Sequence, residues 1–166
     1  MNCFTVAQTM NVTRVSTPAS TIGTFLRLHT LWIVSLVLNN GVFTVENTWW
    51  LFADNHDVTR IASILNNPSH LPLVYGLLFS MPGIPCLYYG SEWGAEGMKS
   101  PDNDYALRPC FEKPLPNALT DFVSKLISVR KNHDALCNGS YRNVVIQNHQ
   151  LIFERCSESE RILVAV

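Results

Sequence analysis

Asn55, His56 and Asp57 place a carboxamide, an imidazole and a carboxylate at three successive positions, one residue beyond the apolar and aromatic run Trp49 to Ala53. A short run of this composition bounded by polar residues reads as a buried strand, so the three polar groups stand where that strand ends. Together they can donate to and accept from a hydroxyl-rich ligand. The same residue types also make turns and helix caps, because Asn and Asp side chains bond nearby backbone groups. Both readings of the triplet stand on spacing alone. Glu92 and Trp93 could border a cleft, whereas His70, His133 and His149 show no ligand spacing and read as surface or loop residues. Five cysteines, Cys3, Cys86, Cys110, Cys137 and Cys156, are spread without any C-x-x-C pair. They signal neither a zinc site nor a disulfide framework and read as free thiols of a reducing compartment.

The elements that must position the triplet follow from periodicity. Asp57 can cap a helix from Val58 to Leu65, with Ile61, Ile64 and Leu65 on one face and Asn66-Asn67-Pro68 as its stop. Leu71 to Met81 reads as a second helix, apolar on most sides and so largely buried, ended by Pro82-Gly83. Ile84 to Tyr89 is a second buried strand, and Tyr88 and Tyr89 read as core residues rather than a sugar platform. Strand, helix, strand in this order suits a parallel βα unit. A polar, proline-containing loop of about 25 residues follows Gly90. Asn117 to Lys131 then carries Leu119, Phe122, Val123, Leu126, Ile127 and Val129 at helical spacing, with Arg130 and Lys131 at the end that favours cations. Tyr141 to Ile146, Leu151 to Arg155 and Arg161 to Val166 read as antiparallel strands, the start of an all-β domain near residue 137.

Composition narrows the partners. With 47% hydrophobic and 15% charged residues the chain can bury an ordinary core. A net charge of -1 and a pI near 6.5 offer no basic stripe, which speaks against nucleic acid and anionic membranes. The longest apolar run, Leu31 to Leu38, is far shorter than the roughly 20 residues a membrane-spanning helix needs, and no leader peptide opens the chain. The expected location is cytoplasmic. The sequons at Asn11 and Asn138 carry no weight without a secretion signal.

The stretch Phe52-Ala53-Asp54-Asn55-His56-Asp57 resembles the strand-seven motif of the α-amylase superfamily, glycoside hydrolase family thirteen. About thirty residues on, Met81-Pro82-Gly83-Ile84-Pro85 and Tyr88-Tyr89-Gly90-Ser91-Glu92 resemble that family's strand eight. Leu107-Arg108-Pro109 and the helix before Ala135-Leu136 extend the similarity over residues 51 to 166. Gly90-Ser91-Glu92-Trp93-Gly94 is most similar to cyclomaltodextrinase and neopullulanase sequences. The resemblance implies an α/β fold: the C-terminal part of a (β/α)8 TIM barrel, strands seven and eight in residues 49 to 136, followed by a C-terminal β domain from 137 to 166. It implies that Asp57 stabilises the transition state and holds sugar hydroxyls, that His56 donates to the same sugar, and that Asn55 fixes the turn. Barrel active sites sit at the C-terminal ends of strands, where these residues fall. The implied ligand is an α-glucan, a maltooligosaccharide or a cyclodextrin. No cofactor is implied; many relatives use calcium, but no Asp-rich ligand loop of recognisable spacing occurs here.

A retaining glycosidase needs a nucleophilic carboxylate and a carboxylic acid about 5–5.5 Å apart. The family carries these on strands four and five, upstream of the Asn-His-Asp strand, yet the first fifty residues hold a single acidic residue, Glu46. The expected product is a fragment of an α-glucan hydrolase that is inactive alone. The alternatives are a module that binds carbohydrate or a partner without cleavage, and a chain complemented by another hydrolase chain. Residues 1 to 48 have no clear pattern. Read two bases out of frame, Gly23 to Val37 can encode DFLEIAHSLDRQFG and Gly41 to Trp50 can encode RLYRGKHLV, which look like the family segment leading into strand seven. A frameshift close to Trp50 is therefore expected, and the gene sequence decides it.

Overall fold

The computed structural model describes residues 50–147 and 150–166. The expectations for residues 1–48, including the out-of-frame reading, the run Leu31 to Leu38 and Cys3, lie outside the described residues, as do those for Trp49 and His149. Contacts divide the chain into two compact units that meet in sequence at Asn132 and His133.

In the first unit, β1 (Trp50–Phe52) pairs in parallel with β2 (Ile84–Cys86), Trp50 opposite Ile84 and Phe52 opposite Cys86. Parallel partners need a crossover, which is supplied by α1 (Ile61–Ile64), a 3-10 turn at Pro68–His70 and α2 (Leu71–Ser80). Helix α2 buries Leu71, Val74, Tyr75, Leu78 and Phe79, a stripe at i, i+3, i+4, i+7 and i+8. It stops at Met81, whose extended backbone (ψ 155°) is the conformation that a following Pro82 enforces. Helix α3 (Ala118–Asn132) packs against α2 through Val123, which is 2% exposed. Asn117 starts α3, its Oδ1 accepting from the amides of Leu119 (2.9 Å) and Thr120 (3.3 Å).

Two expectations are corrected in this unit. Helix α1 begins at Ile61 rather than Val58, and Asp57 does not cap it; Asp54 Oδ2 accepts from the Ile61 amide at 3.0 Å instead. Arg60, immediately before the helix, is extended (φ −55°, ψ 139°), and that backbone turns its guanidinium inward. The strands are shorter and more open than expected: Trp50 is 71% exposed and Phe52 and Ile84 are exposed as well. Among the described residues the sheet has two strands, so each has a neighbour on one side, and Trp50 and Phe52 of β1 and Ile84 of β2 face solvent.

Arg130, near the end of α3, is buried and ties the two helices. Its Nη1 donates to the carbonyls of Phe79 (2.7 Å) and Met81 (3.0 Å), and its Nη2 donates to that of Gly83 (2.5 Å). A cation here satisfies carbonyls that the end of α2 leaves without helical partners and meets the negative end of its dipole. Tyr88 and Tyr89, expected in the core, are half-buried and exposed respectively, because β2 ends at Cys86 and the chain has already turned toward the surface.

The second unit opens with α4 (Asp134–Cys137) and continues as an antiparallel meander of β3 (Ser140–Gln147), β4 (Gln150–Cys156) and β5 (Arg161–Ala165), in that order across the sheet. All three strands lie where alternation placed them. The register slips between Asn143 and Val145, a bulge that leaves Val144 exposed. Its core is Ala135, Leu136, Tyr141, Phe153 and Ile162, with the Tyr141 and Phe153 rings 5.1 Å apart. Burial of the Tyr141 phenol pushes its pKa up to about 12. Arg155, 1% exposed, donates from Nη2 to the Gly139 carbonyl at 2.9 Å and so closes the α4–β3 connection.

His133 lies in the loop before α4, in keeping with the surface or loop position expected of it, and is held there by an acidic partner that the sequence did not signal. Its Nδ1 lies 2.8 Å from Glu160 Oε2, while Glu160 Oε1 accepts from the Ala135 amide at 2.9 Å. The hydrogen bond from His133, then that from Ala135, holds the Glu160 carboxyl below its ordinary range.

Two outcomes follow from these anchors. Arg130→Met keeps the apolar stem but orphans three carbonyls, and a urea melt should show a loss of roughly 1.5–3 kcal/mol, the usual worth of buried charge-assisted bonds. For Glu160, a carboxyl whose folded value is depressed contributes stability that is present above its unfolded value and is lost as pH falls through the folded one. Acid titration followed by amide signals of β4 and β5 should therefore show this unit loosening below the ordinary carboxylate range, and Glu160→Gln should remove that acid-dependent component.

Candidate active-site segment

The Asn55–Asp57 turn leaves β1 and is shaped by its own side chain: the Asp57 amide donates to Asn55 Oδ1 at 2.8 Å. An Asx turn of this kind needs a short side chain with an acceptor oxygen, which Asn supplies here. It leaves His56 and Asp57 side chains more than half exposed, with His56 Nε2 3.2 Å from Asp57 Oδ2. The three residues singled out by sequence thus lie together, two facing solvent and one holding the turn.

What fixes the turn comes from the long loop after β2. Arg108 donates from Nε to the His56 carbonyl (3.2 Å) and from Nη2 to Asp57 Oδ1 (3.1 Å), and the same Nη2 reaches Asp104 Oδ2 at 3.1 Å. Lys99 donates from Nζ to the Asp57 carbonyl at 2.7 Å, and its amide donates to Thr59 Oγ1 at 3.0 Å. These contacts are exposed, so screening leaves each worth about 0–1 kcal/mol, and they orient the turn more than they stabilise the fold.

Below the turn lies a buried network. Asp54, 2% exposed, accepts from the Ser91 hydroxyl at Oδ1 (2.7 Å) and Oδ2 (3.0 Å) in addition to the Ile61 amide. Arg60, fully buried, donates from Nη1 to the Tyr89 carbonyl (2.7 Å) and Ser91 Oγ (3.2 Å), and from Nη2 to the Leu107 carbonyl (2.9 Å). Its guanidinium carbon stands 4.1 Å from the centre of the Tyr88 ring, a cation over a π face. Tyr75, on α2, donates its hydroxyl to the Ser91 carbonyl at 2.8 Å. Burial, then the charge of Asp54, pushes the Tyr75 phenol well above its ordinary value, so it stays a donor.

Backbone geometry makes the network possible at two glycines. Gly90 adopts φ +88° just before Ser91, in the left-handed region that glycine enters freely, and a Cβ there would stand 2.9 Å from the Phe111 ring. At Gly97 a Cβ would meet the Ala106 carbonyl oxygen at 2.2 Å; its own carbonyl accepts from the Arg60 amide at 2.8 Å. Of Glu92 and Trp93, considered for the edge of a cleft, Trp93 lines a concavity with Tyr89, Arg108 and Phe111, meeting the Phe111 ring edge-on at 5.3 Å, while the backbone carbonyls of both are tied to the start of α3 by Thr120 Oγ1 and Asn117 Nδ2.

Sequence reasoning missed Asp54, Arg60 and Ser91 as a group, because nothing in their spacing announces that 31 to 37 residues of chain bring them together. Arg108 stood within a quoted motif but was given no role. Among the described residues no cluster of three or more His, Cys, Asp or Glu could hold a metal ion, the four cysteines are free thiols, and no helix is long and apolar enough to cross a membrane.

Comparison with known proteins gives this arrangement its context. The sequence matches the alpha-amylase catalytic domain family over residues 14–117, a stretch that takes in residues upstream of β1 for which the sequence reading found no resemblance in the frame as written. It is 32% identical over 115 residues to a cyclomaltodextrin glucanotransferase of Niallia circulans, covering 69% of this chain and 16% of that protein. Among solved structures it is similar to an Anoxybacillus α-amylase (31% identity, TM-score 0.62, 72% of this chain and 26% of the other). It is also similar to a cyclomaltodextrinase (26% identity, TM-score 0.62, 71% and 21%). The chain spans about a sixth of the length of the curated relatives it matches. With a family match over most of its length and a parallel βα unit that carries Asn55, His56 and Asp57 at the end of a strand, this chain belongs to the alpha-amylase family and holds part of its catalytic domain.

Proposed function

We propose that this chain is a fragment of an α-glucan glycoside hydrolase that binds maltooligosaccharide or cyclodextrin through Asp57 and His56 and does not cleave it alone. In this reading β1 and β2 are barrel strands seven and eight, and the meander from β3 is the start of the all-β domain. Asp57 accepts from sugar hydroxyls and stabilises an oxocarbenium-like transition state, His56 donates to the same ring, and Asn55 sets the turn. The observation that carries the reading is the pairing of an exposed carboxylate and imidazole, 3.2 Å apart on an Asx turn at a strand's C-terminal end. A vicinal diol can replace that contact, bridging both groups.

Cleavage requires a second carboxyl acting as acid, with a nucleophile facing it. Asp104 approaches Asp57 through a shared guanidinium, so that neighbour is engaged with Arg108 rather than facing a scissile bond. The free thiols and the absence of a basic stripe fit a cytoplasmic protein without nucleic-acid or membrane partners. The exposed Trp50, Phe52 and Ile84 favour a second reading, in which a complementing hydrolase chain lays further strands against β1 and β2. Recovery of α-glucan hydrolysis on mixing with a segment of a related amylase that carries nucleophile and acid would support it.

Isothermal titration calorimetry with maltoheptaose tests the leading reading. Wild-type chain should bind with a dissociation constant on the order of millimolar, near −4 kcal/mol, and release no reducing sugar. Asp57→Ala and His56→Ala should each weaken binding at least about tenfold without moving the melt, since both side chains are mostly exposed. No detectable binding, or binding indifferent to both substitutions, would sink the reading.

A further inference from the structure

We propose that Ser91 is a positioning residue: its hydroxyl is the joint through which the loop after β2 holds the Asn55–Asp57 turn in its ligand-ready shape. The inference rests on the sugar-binding reading for its functional consequence, but its structural core does not.

A serine hydroxyl has one proton and two lone pairs, and at 1% exposure no water makes up a deficit. Ser91 gives its proton to Asp54 and takes one from Arg60 Nη1, so each of its neighbours is satisfied by the other's presence. Asp54 is the residue directly before Asn55, and its second oxygen holds the Ile61 amide. The chain from 54 to 61 is therefore pinned at both ends by one carboxylate, and that carboxylate is aimed by one hydroxyl. His56 and Asp57 ride on the span between. Ser91 is itself held from the opposite side, its carbonyl accepting from Tyr75 and its backbone set by left-handed Gly90. The joint is anchored to α2 and not to the mobile side chains it serves. The outer grips from Arg108 and Lys99 are exposed and act on the turn only if its base is fixed.

Removing the hydroxyl deletes both bonds while leaving the backbone intact. The discriminating readout is nitrogen-15 relaxation of residues 55 to 58, with α2 and α3 of the same unit as an internal control that any general loss of its fold would also disturb. Wild type should show order parameters of about 0.85 at the turn, and Ser91→Ala should drop them below about 0.6 with α2 and α3 unchanged. Ser91→Thr, which retains the hydroxyl, should restore them. Maltoheptaose affinity should fall at least about tenfold in Ser91→Ala and recover in Ser91→Thr. Should Ser91→Ala not fold, Asp54→Asn, which keeps the shape but trades one acceptor oxygen for a donor, should loosen the same four residues.

A rigid turn and unchanged affinity in Ser91→Ala would overturn the proposal, as would a loosened turn with unchanged affinity. A loosened turn in a chain whose wild type binds no sugar would confirm the joint and discard the sugar-binding reading, so the two failures are distinct.

Discussion

A guanidinium stripped of its water needs fixed acceptors for its protons, and Arg60 has them at both terminal nitrogens, though its buried Nε has none. Two backbone carbonyls, a serine hydroxyl and a tyrosine face surround it, drawn from segments 28 to 47 residues away in sequence. Taking such a charge out of water costs several kcal/mol unless its surroundings replace that hydration closely. That requirement dictates the rest of the unit. The loop from Gly90 to Asn117 has to return over Arg60 so that Tyr89, Ser91 and Leu107 can present their oxygens. Gly97 has to be a glycine so that the loop can pass Ala106. Once the loop is there, Arg108 and Lys99 are within reach of the turn above.

The layering separates two jobs that a carboxylate can do. Asp54 is buried, saturated with hydrogen bonds and unavailable to any ligand. Asp57, three residues later, is exposed and shares its oxygens with flexible, solvated partners. Chemical identity is the same in both; position alone makes one a strut and leaves the other open to solvent. Arg60 and Arg108 repeat the division among the cations.

What could be read from the sequence was what has a period or a motif. Helix α2 announced itself through the stripe from Leu71 to Phe79, and the meander through alternation, and both sit close to where they were expected. The Asn55 turn was legible because Asx chemistry is local. Burial of β1 was misjudged because the composition of Trp50 to Phe52 reports what those side chains prefer, not whether neighbours are there to cover them. The buried network was invisible for the opposite reason: Asp54, Arg60 and Ser91 form no pattern along the chain, and only the tertiary path brings them together. Arg60 in particular fell within the helix expected from Val58 to Leu65 and was given no role, and its extended backbone is what no propensity scale conveys. His133 was dismissed for want of ligand spacing, although its partner Glu160 lies 27 residues on, in the turn between two strands that sequence did identify.

The two units also differ in how far apart along the chain their contacts lie. In the meander, the strands pair with near neighbours, and the ion pairs that flank Glu154 and the contacts of Arg155 close loops of 7 to 16 residues. In the other unit, the bonds that build the turn's base close loops of 31 to 47 residues. Long closures cost more chain entropy before any bond repays it, and proteins dominated by them fold more slowly. The meander should consequently form first, from local information, while the segment bearing Asp57 acquires its shape only when the crossover and the returning loop are both in place. On that ordering the sheet of the meander would be complete before the Asn55–Asp57 turn takes its shape.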